Sequence, residues 1–203
     1  MRKKEQIELV IASRNKKKVE EIKEILRGHN LKITSLSDYP AAPYIVENGK
    51  TFKENAIKKA AKIARFTKKL TMGEDSGLEV DALGGKPGIH SSRFSGKDKN
   101  DLKNNRKLLR LLEGLPFAKR KARYVCAIAL IDKNGLSACV EGACAGLIDV
   151  TMRGSSGFGY DPLFLIPKYK KTFAQLGPSI KHKMSHRFRA LKKAIKIINE
   201  YLV

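Results

Sequence analysis

Acidic residues, aromatics and cysteines are all scarce in this sequence of 203 residues, and each scarcity removes a class of protein. Aspartate and glutamate number 20 against 42 lysines and arginines, a formal net charge of +22. Such a surface attracts polyanions, among them nucleic acid, nucleotides and acidic lipid heads. Aromatics, however, make up only 7% of the chain, too few to interleave stacking rings with a basic groove as a single-strand binder does. The lysines are spread over nearly every segment. They read as a solvated surface that favours an anionic substrate, with no specific nucleic-acid partner. The cysteines, Cys126, Cys139 and Cys144, are odd in number, lie in apolar segments and lack metal-ligand spacing. No histidine–cysteine cluster suggests zinc, and buried free thiols in a reducing cytoplasm are expected. No apolar run approaches the length of a membrane span, and no signal-peptide core follows Met1. A cytoplasmic protein without a membrane partner is therefore expected.

What is present is enough apolar residue, 42% of the chain, to bury a core within one unit over residues 1–203. Ile7 to Ala12 reads as a buried strand. Ser13-Arg14-Asn15-Lys16-Lys17-Lys18 follows, then Val19, Ile22, Ile25 and Leu26 at helical spacing, with Gly28 as the stop. Leu31, Ile33 and Ser35 alternate as a second strand. Residues 37–50 read as a loop. Thr51 and Glu54 form a capping box for a helix whose buried stripe is Phe52, Ala56, Ala60, Ile63 and Ala64. Leu70 to Met72 is strand again, followed by a sharp turn through small residues. A helix marked by Leu102, Leu109 and Leu112 is expected to start near Asp98 or Lys99. Ala122–Asp132 and Leu136–Cys144 are strands joined by a tight turn at Lys133-Asn134-Gly135. Ser185 caps a last helix with Phe188, Leu191, Ile195, Ile198 and Leu202 on one face. Alternating strands and helices with a late hairpin predict an α/β fold with a mixed sheet.

Chemistry concentrates in four places. Gly73-Glu74-Asp75-Ser76-Gly77-Leu78 sets two carboxylates side by side, a costly pair unless a cation or proton relieves it. The polar loop from Ser13 to Lys18, between a strand and a helix start, suits an anion, because helix-start amides and the helix dipole point positive charge outward. It is not a Walker A loop, and plain capping by Ser13 or Asn15 accounts for it equally well. Ser185-His186-Arg187 places cations in a first helical turn, where the dipole disfavours them unless an anion or a keto oxygen is near; Lys181 lies within reach. In Gly157-Phe158-Gly159-Tyr160-Asp161-Pro162, glycines flanking Phe158 let a flat base approach and stack. Together these are the parts of a nucleotide-polyphosphate site.

In this order the motifs resemble the inosine triphosphatase or Ham1-like family of purine nucleoside triphosphate pyrophosphatases. The matching pieces are Ile11 to Lys18, Thr51 to Ala56, Glu74 to Leu78, Pro87 to Gly96, Gly157 to Asp161, and Ser185 to Arg187, covering nearly the whole chain. The resemblance implies hydrolysis of ITP, dITP and XTP to the monophosphate and pyrophosphate with Mg²⁺. It implies Asp75 as proton acceptor and metal ligand and Glu47 as second metal-binding carboxylate. It puts Ser13, Arg14, Asn15, Lys16, Lys17, Lys18, Ser76, Phe158, Gly159, Tyr160, Asp161, Lys181, His186 and Arg187 on substrate-contacting positions. It also implies a long central sheet flanked by helices, two lobes with an active-site cleft between them, and a homodimer. The chain departs from the family at Glu74, where bacterial members commonly have Asp, and in Gly177-Pro178-Ser179-Ile180 before Lys181. Two rival readings stay in view: a nucleic-acid-binding protein, which explains the charge but not the carboxylate pair, and a nucleotide sensor with a dead site.

Overall fold

The computed structural model describes residues 6–134 and 137–201. Seven strands, β1 (Ile7–Ile11), β2 (Leu31–Ser35), β3 (Leu70–Val80), β4 (Lys121–Ile131), β5 (Ser137–Ile148), β6 (Phe164–Ile166) and β7 (Lys171–Thr172), form one sheet in the order β2-β1-β3-β4-β5-β6-β7. β1 is parallel to β2 and β3, whereas β6 is antiparallel to β5 and β7. The sheet is thus mixed, as the sequence predicts. Among the described residues five α-helices accompany it: α1 (Lys16–Ile25), α2 (Phe52–Thr67), α3 (Asp101–Leu111), α4 (Phe173–Lys181) and α5 (His186–Tyr201). Among the described residues no helix is long and apolar enough to cross a membrane.

The chain divides into two compact units, the first made of Met1–Asp75, Cys126–Gly142 and Arg189–Val203, the second of Ser76–Val125 and Ala143–Phe188. In the first, β1 is buried on both faces: Leu9 and Ile11 join a cluster with α1, β4 and α5, while Val10 and Ala12 join Leu36, Ala42 and Ile63. A central strand covered twice has no polar face, which is why its sequence is an apolar run rather than an alternation. The second unit packs Leu78 and Val80 of β3 with Leu108, Leu112, Tyr124, Phe164 and Phe173.

The structure corrects four local expectations. The sharp turn after Met72 is instead the middle of β3, which runs straight through Gly73-Glu74-Asp75-Ser76-Gly77 to Val80. The small residues there serve packing: a Cβ on Gly73 would lie 2.0 Å from Ala56 O and 2.7 Å from Ala60 N. Gly73 therefore lets the backbone of α2 lie directly on β3, a closeness no other residue permits. Glu54 accepts from the Lys50 amide at 2.8 Å instead of completing a capping box with Thr51, whose hydroxyl does accept from Glu54 N at 3.1 Å. α3 starts at Asp101 with Asn100 as cap, because Lys99 has φ of 51° and cannot be helical; Leu102 on it is exposed. β5 runs on past Cys144 to Ile148. Gly135 and Leu136 of the predicted tight turn, and Leu202 of the last helix, lie outside the described residues.

Candidate active site

In a strand, neighbouring side chains point to opposite faces. Glu74 and Asp75 therefore do not share one cation, as their adjacency suggests; each has its own lysine. Glu74 is buried and ion-pairs with Lys18 Nζ at 2.8 Å, while its other oxygen accepts from Cys126 Sγ at 3.4 Å. Asp75 faces α2, on the side where Gly73 admits that helix. Its Oδ1 lies 2.9 Å from Lys59 Nζ and its Oδ2 accepts from Asn55 Nδ2 at 3.1 Å. Lys59 Nζ also meets Glu47 Oε2 at 2.7 Å and donates to Glu74 O at 3.2 Å.

Asn55 and Lys59 stand one helical turn apart within the buried stripe of α2, and sequence reading missed both. The signal was there: polar residues recurring at the spacing of Phe52, Ala56 and Ala60 are placed to meet something buried. In a chain with so many lysines, Lys59 looked like surface. Lysine is almost never fully buried unless paired. Burial works against the Lys59 charge, but the attraction of Asp75 and Glu47 outweighs it, and its pKa is raised. Burial also raises the Asp75 carboxyl above the ordinary range, against the opposing pull of Lys59 and Lys18. A carboxylate held dry in this way has an increased affinity for a proton.

Glu47 and Asp75 converge on one ammonium, so their oxygens are no farther apart than two hydrogen bonds laid end to end. Among the described residues no group of three or more His, Cys, Asp or Glu side chains is placed to hold a metal ion. A pair of carboxylates is nevertheless the donor set that Mg²⁺ uses when phosphate oxygens and water complete its octahedron. Both are hard oxygen ligands, and Glu47, with a side chain 40% exposed, opens to solvent. The residues present fit that ion.

At the start of α1, Asn15 accepts from the Lys18 amide at 3.2 Å and Ser13 Oγ from the Asn15 amide at 3.1 Å. Arg14 is tied to Ala42 O at 3.0 Å. Lys16 and Lys17 are exposed, and Lys18 is half-buried. The structure thus brings Ser13 to Lys18, Glu47 and Asp75 into the first unit.

Ser76 and the remaining predicted residues belong to the second unit. Ser185 Oγ caps α5 by accepting from Phe188 N at 3.2 Å. The two side chains behind it are buried: His186 is 3% exposed and Arg187 1%. Arg187 donates to Ser76 Oγ at 3.0 Å and its guanidinium carbon lies 5.7 Å from the centre of the Phe158 ring. His186 stacks on Tyr124 with centroids 4.5 Å apart and planes 10° apart. Burial pushes the Tyr124 phenol well above its ordinary range, with Asp161 adding to the effect. It stays protonated and accepts from Tyr160 N at 3.0 Å.

Asp161 is the hub of the glycine-rich loop. Its Oδ2 receives Lys181 Nζ at 2.7 Å and Phe158 N at 3.0 Å. Lys181 and Asp161 are thus a buried ion pair, and Lys181 also lies 4.9 Å from the Phe158 ring. Two further residues escaped sequence reading: Asp101 accepts from Gly159 N and Asn105 donates to Gly159 O, each at 2.8 Å. Both project from α3, so helix and loop are locked together. Phe158, within that loop, is half-buried.

Sheet order and these two clusters define an α/β protein of the mixed-sheet class. The Ham1 family model matches residues 9–197, and the chain belongs to that family. It is 48% identical over 197 residues to the dITP/XTP pyrophosphatase of Desulforamulus reducens, covering 97% of this chain and 98% of that one. To the dITP/XTP pyrophosphatase of Geobacillus kaustophilus it is 47% identical, covering 92% of this chain and 91% of the relative. Among solved structures, a HAM1 protein from Coxiella burnetii superposes with a TM-score of 0.86 at 38% identity, over 96% of this chain and all of that one.

Proposed function

We infer that this chain hydrolyses ITP, dITP and XTP to the nucleoside monophosphate and pyrophosphate, clearing such purines from the nucleotide pool. The observation that carries the reading is Asp75: a dry carboxylate, oriented by Asn55 and Lys59 and facing Glu47 across one cation position. Relatives named for dITP/XTP pyrophosphatase activity, matched over nearly their full length, support the substrate class.

In this scheme Asp75, fixed in place by Asn55 and Lys59, accepts the proton of the water that attacks the α-phosphorus. Glu47 and Asp75 hold Mg²⁺, which when bound neutralises charge on the phosphate oxygens. Lys18 and the amides at the start of α1 stabilise the phosphate oxygens, with Ser13, Arg14, Asn15, Lys16 and Lys17 shaping that anion site. Lys59 keeps the two carboxylates in register. In the second unit Phe158 stacks on the base, Gly159, Tyr160, Asp161 and Lys181 hold that ring in place, and Ser76 orients Arg187. His186 and Arg187 donate to a keto oxygen that hypoxanthine and xanthine present where adenine carries an amino group. The three cysteines are free thiols, compatible with the reducing cytoplasm where such a pool lies.

The test is pyrophosphate release from a panel of nucleoside triphosphates with Mg²⁺. ITP, dITP and XTP are expected to exceed ATP in kcat/KM by roughly 10³-fold. Equal turnover of all members, or none, defeats the assignment.

The active form is a homodimer in this reading. Its support is an exposed apolar surface in the first unit, with Tyr44 79%, Val46 56% and Phe66 43% exposed. Beside it lies an open hollow of about 620 Å³ whose lining combines Ile45, Val46, Ala61 and Phe66 with Lys58, Lys62 and Arg65. Apolar patches rimmed by charge mark interfaces. Sedimentation is expected to give twice the mass of the 22.6 kDa chain, and Phe66→Glu half of that. A wild-type chain that sediments as a monomer rules the dimer out.

A further inference from the structure

We propose that Asn55 is the positioning residue of the acidic centre, setting which oxygen of Asp75 is offered to the reaction; the inference rests on the role given to Asp75 above. Asn55 is 1% exposed, and both ends of its amide are used. Its Oδ1 accepts from Gly49 N at 2.8 Å and its Nδ2 donates to Asp75 Oδ2 at 3.1 Å. A carboxylate only accepts and a peptide N–H only donates, so the amide has one possible orientation. One side chain thereby ties Asp75 to the segment that carries Glu47, two residues before Gly49 in the chain.

The fit admits no slack. A Cβ on Gly49 would stand 2.7 Å from Asn55 Oδ1 and 2.8 Å from Glu54 Cβ. The loop backbone is pressed onto the start of α2 to a depth that only glycine allows. With Oδ2 of Asp75 occupied by Asn55, Oδ1 is left toward Lys59 and Glu47. Asn55, bonded to Gly49 and Asp75 and shut off from solvent, thus acts through Asp75. Partners of this kind around a metal-binding carboxylate typically govern affinity and rate by about 10- to 100-fold.

Two variants separate this role from simple support of the loop. Asn55→Asp keeps the acceptor for Gly49 N–H and nearly the same shape, but it sets a second carboxylate against Asp75 Oδ2. Wild-type turnover of that variant would mean that Asn55 only holds the loop. If it positions Asp75, kcat for ITP falls by about 10- to 100-fold, while KM stays within about threefold because base contacts are untouched. Asn55→Leu removes both bonds at similar volume. In an equilibrium titration with Mn²⁺ alone, followed by the electron paramagnetic resonance of the free ion, it is expected to weaken binding by about 10- to 100-fold. Should Asn55→Leu not fold, Asn55→Ser takes its place in the titration.

Wild-type kcat in Asn55→Asp, or wild-type Mn²⁺ affinity in the apolar variant, overturns the proposal. These failures differ from failure of the reading beneath it. That shows itself as a wild-type protein that does not hydrolyse ITP, or as Asp75→Asn keeping its activity, whatever Asn55 does.

Discussion

Asp75→Asn is expected to lower kcat for ITP by about 10³- to 10⁴-fold while leaving a folded protein. The exchange is isosteric, so neither α2 nor β3 has to move. What disappears is a negative charge and a proton acceptor. An amide oxygen can still face Lys59, but it cannot take a proton from water, and it is a weak partner for a divalent cation. The stability change is modest because two effects oppose each other. Lys59 loses one of its carboxylates, which leaves a buried ammonium paired with Glu47 alone. At the same time the cost of keeping the Asp75 charge out of water is removed. KM for ITP is expected to change less than kcat, since the proposed base contacts lie in the second unit. Thermal denaturation establishes the folded state and single-turnover pyrophosphate release the rate. A variant that releases pyrophosphate within about tenfold of wild type removes Asp75 from the centre of the mechanism.

The second large effect is on selectivity. Arg187→Ala is expected to reduce the ITP-over-ATP ratio of kcat/KM by about 10²-fold or more. Arg187 is the largest fully buried side chain among the described residues. In the proposed reading a donor buried there pairs with a keto oxygen and is left opposed by an amino group, so ATP would bear a penalty that ITP does not. The truncation also empties space beside Phe158 and takes the partner from Ser76, and both substrates then bind worse. For that reason the ratio, measured on the same preparation, is the informative quantity and the absolute rate is not. Arg187→Lys keeps a charge but loses the planar fork, and part of the selectivity is expected to go with it. An unchanged ratio in Arg187→Ala places the discrimination elsewhere in the protein.

Legibility from sequence followed the range of the interaction. β1, β2, α1, α2 and α5 were readable because their signals are local: an apolar run, an alternation, or a cap followed by a stripe of period 3.6. Thr51 and Ser185 are found at the helix starts for the same reason. The strand through Gly73 to Gly77 was misread as a turn. Small residues mean either a bend or a close approach, and only the position of α2 decides between them. Glu74 and Asp75 looked like one charged pair, yet the strand's alternation sends them to different lysines.

The order of motifs along the chain was enough to identify the family and with it the chemistry. The residue types proposed for that reaction, a carboxylate, cations at helix starts and a stacking ring, stand at positions local rules can mark. Only the folded chain decided what surrounds them. Lys59 and Asn55 are ordinary helix residues until α2 settles onto β3, and Asp101 and Asn105 until α3 meets the loop of Phe158. The physical reason is that a buried charge is tolerable only beside its partners. Those partners arrive by packing of distant segments, which no local pattern records.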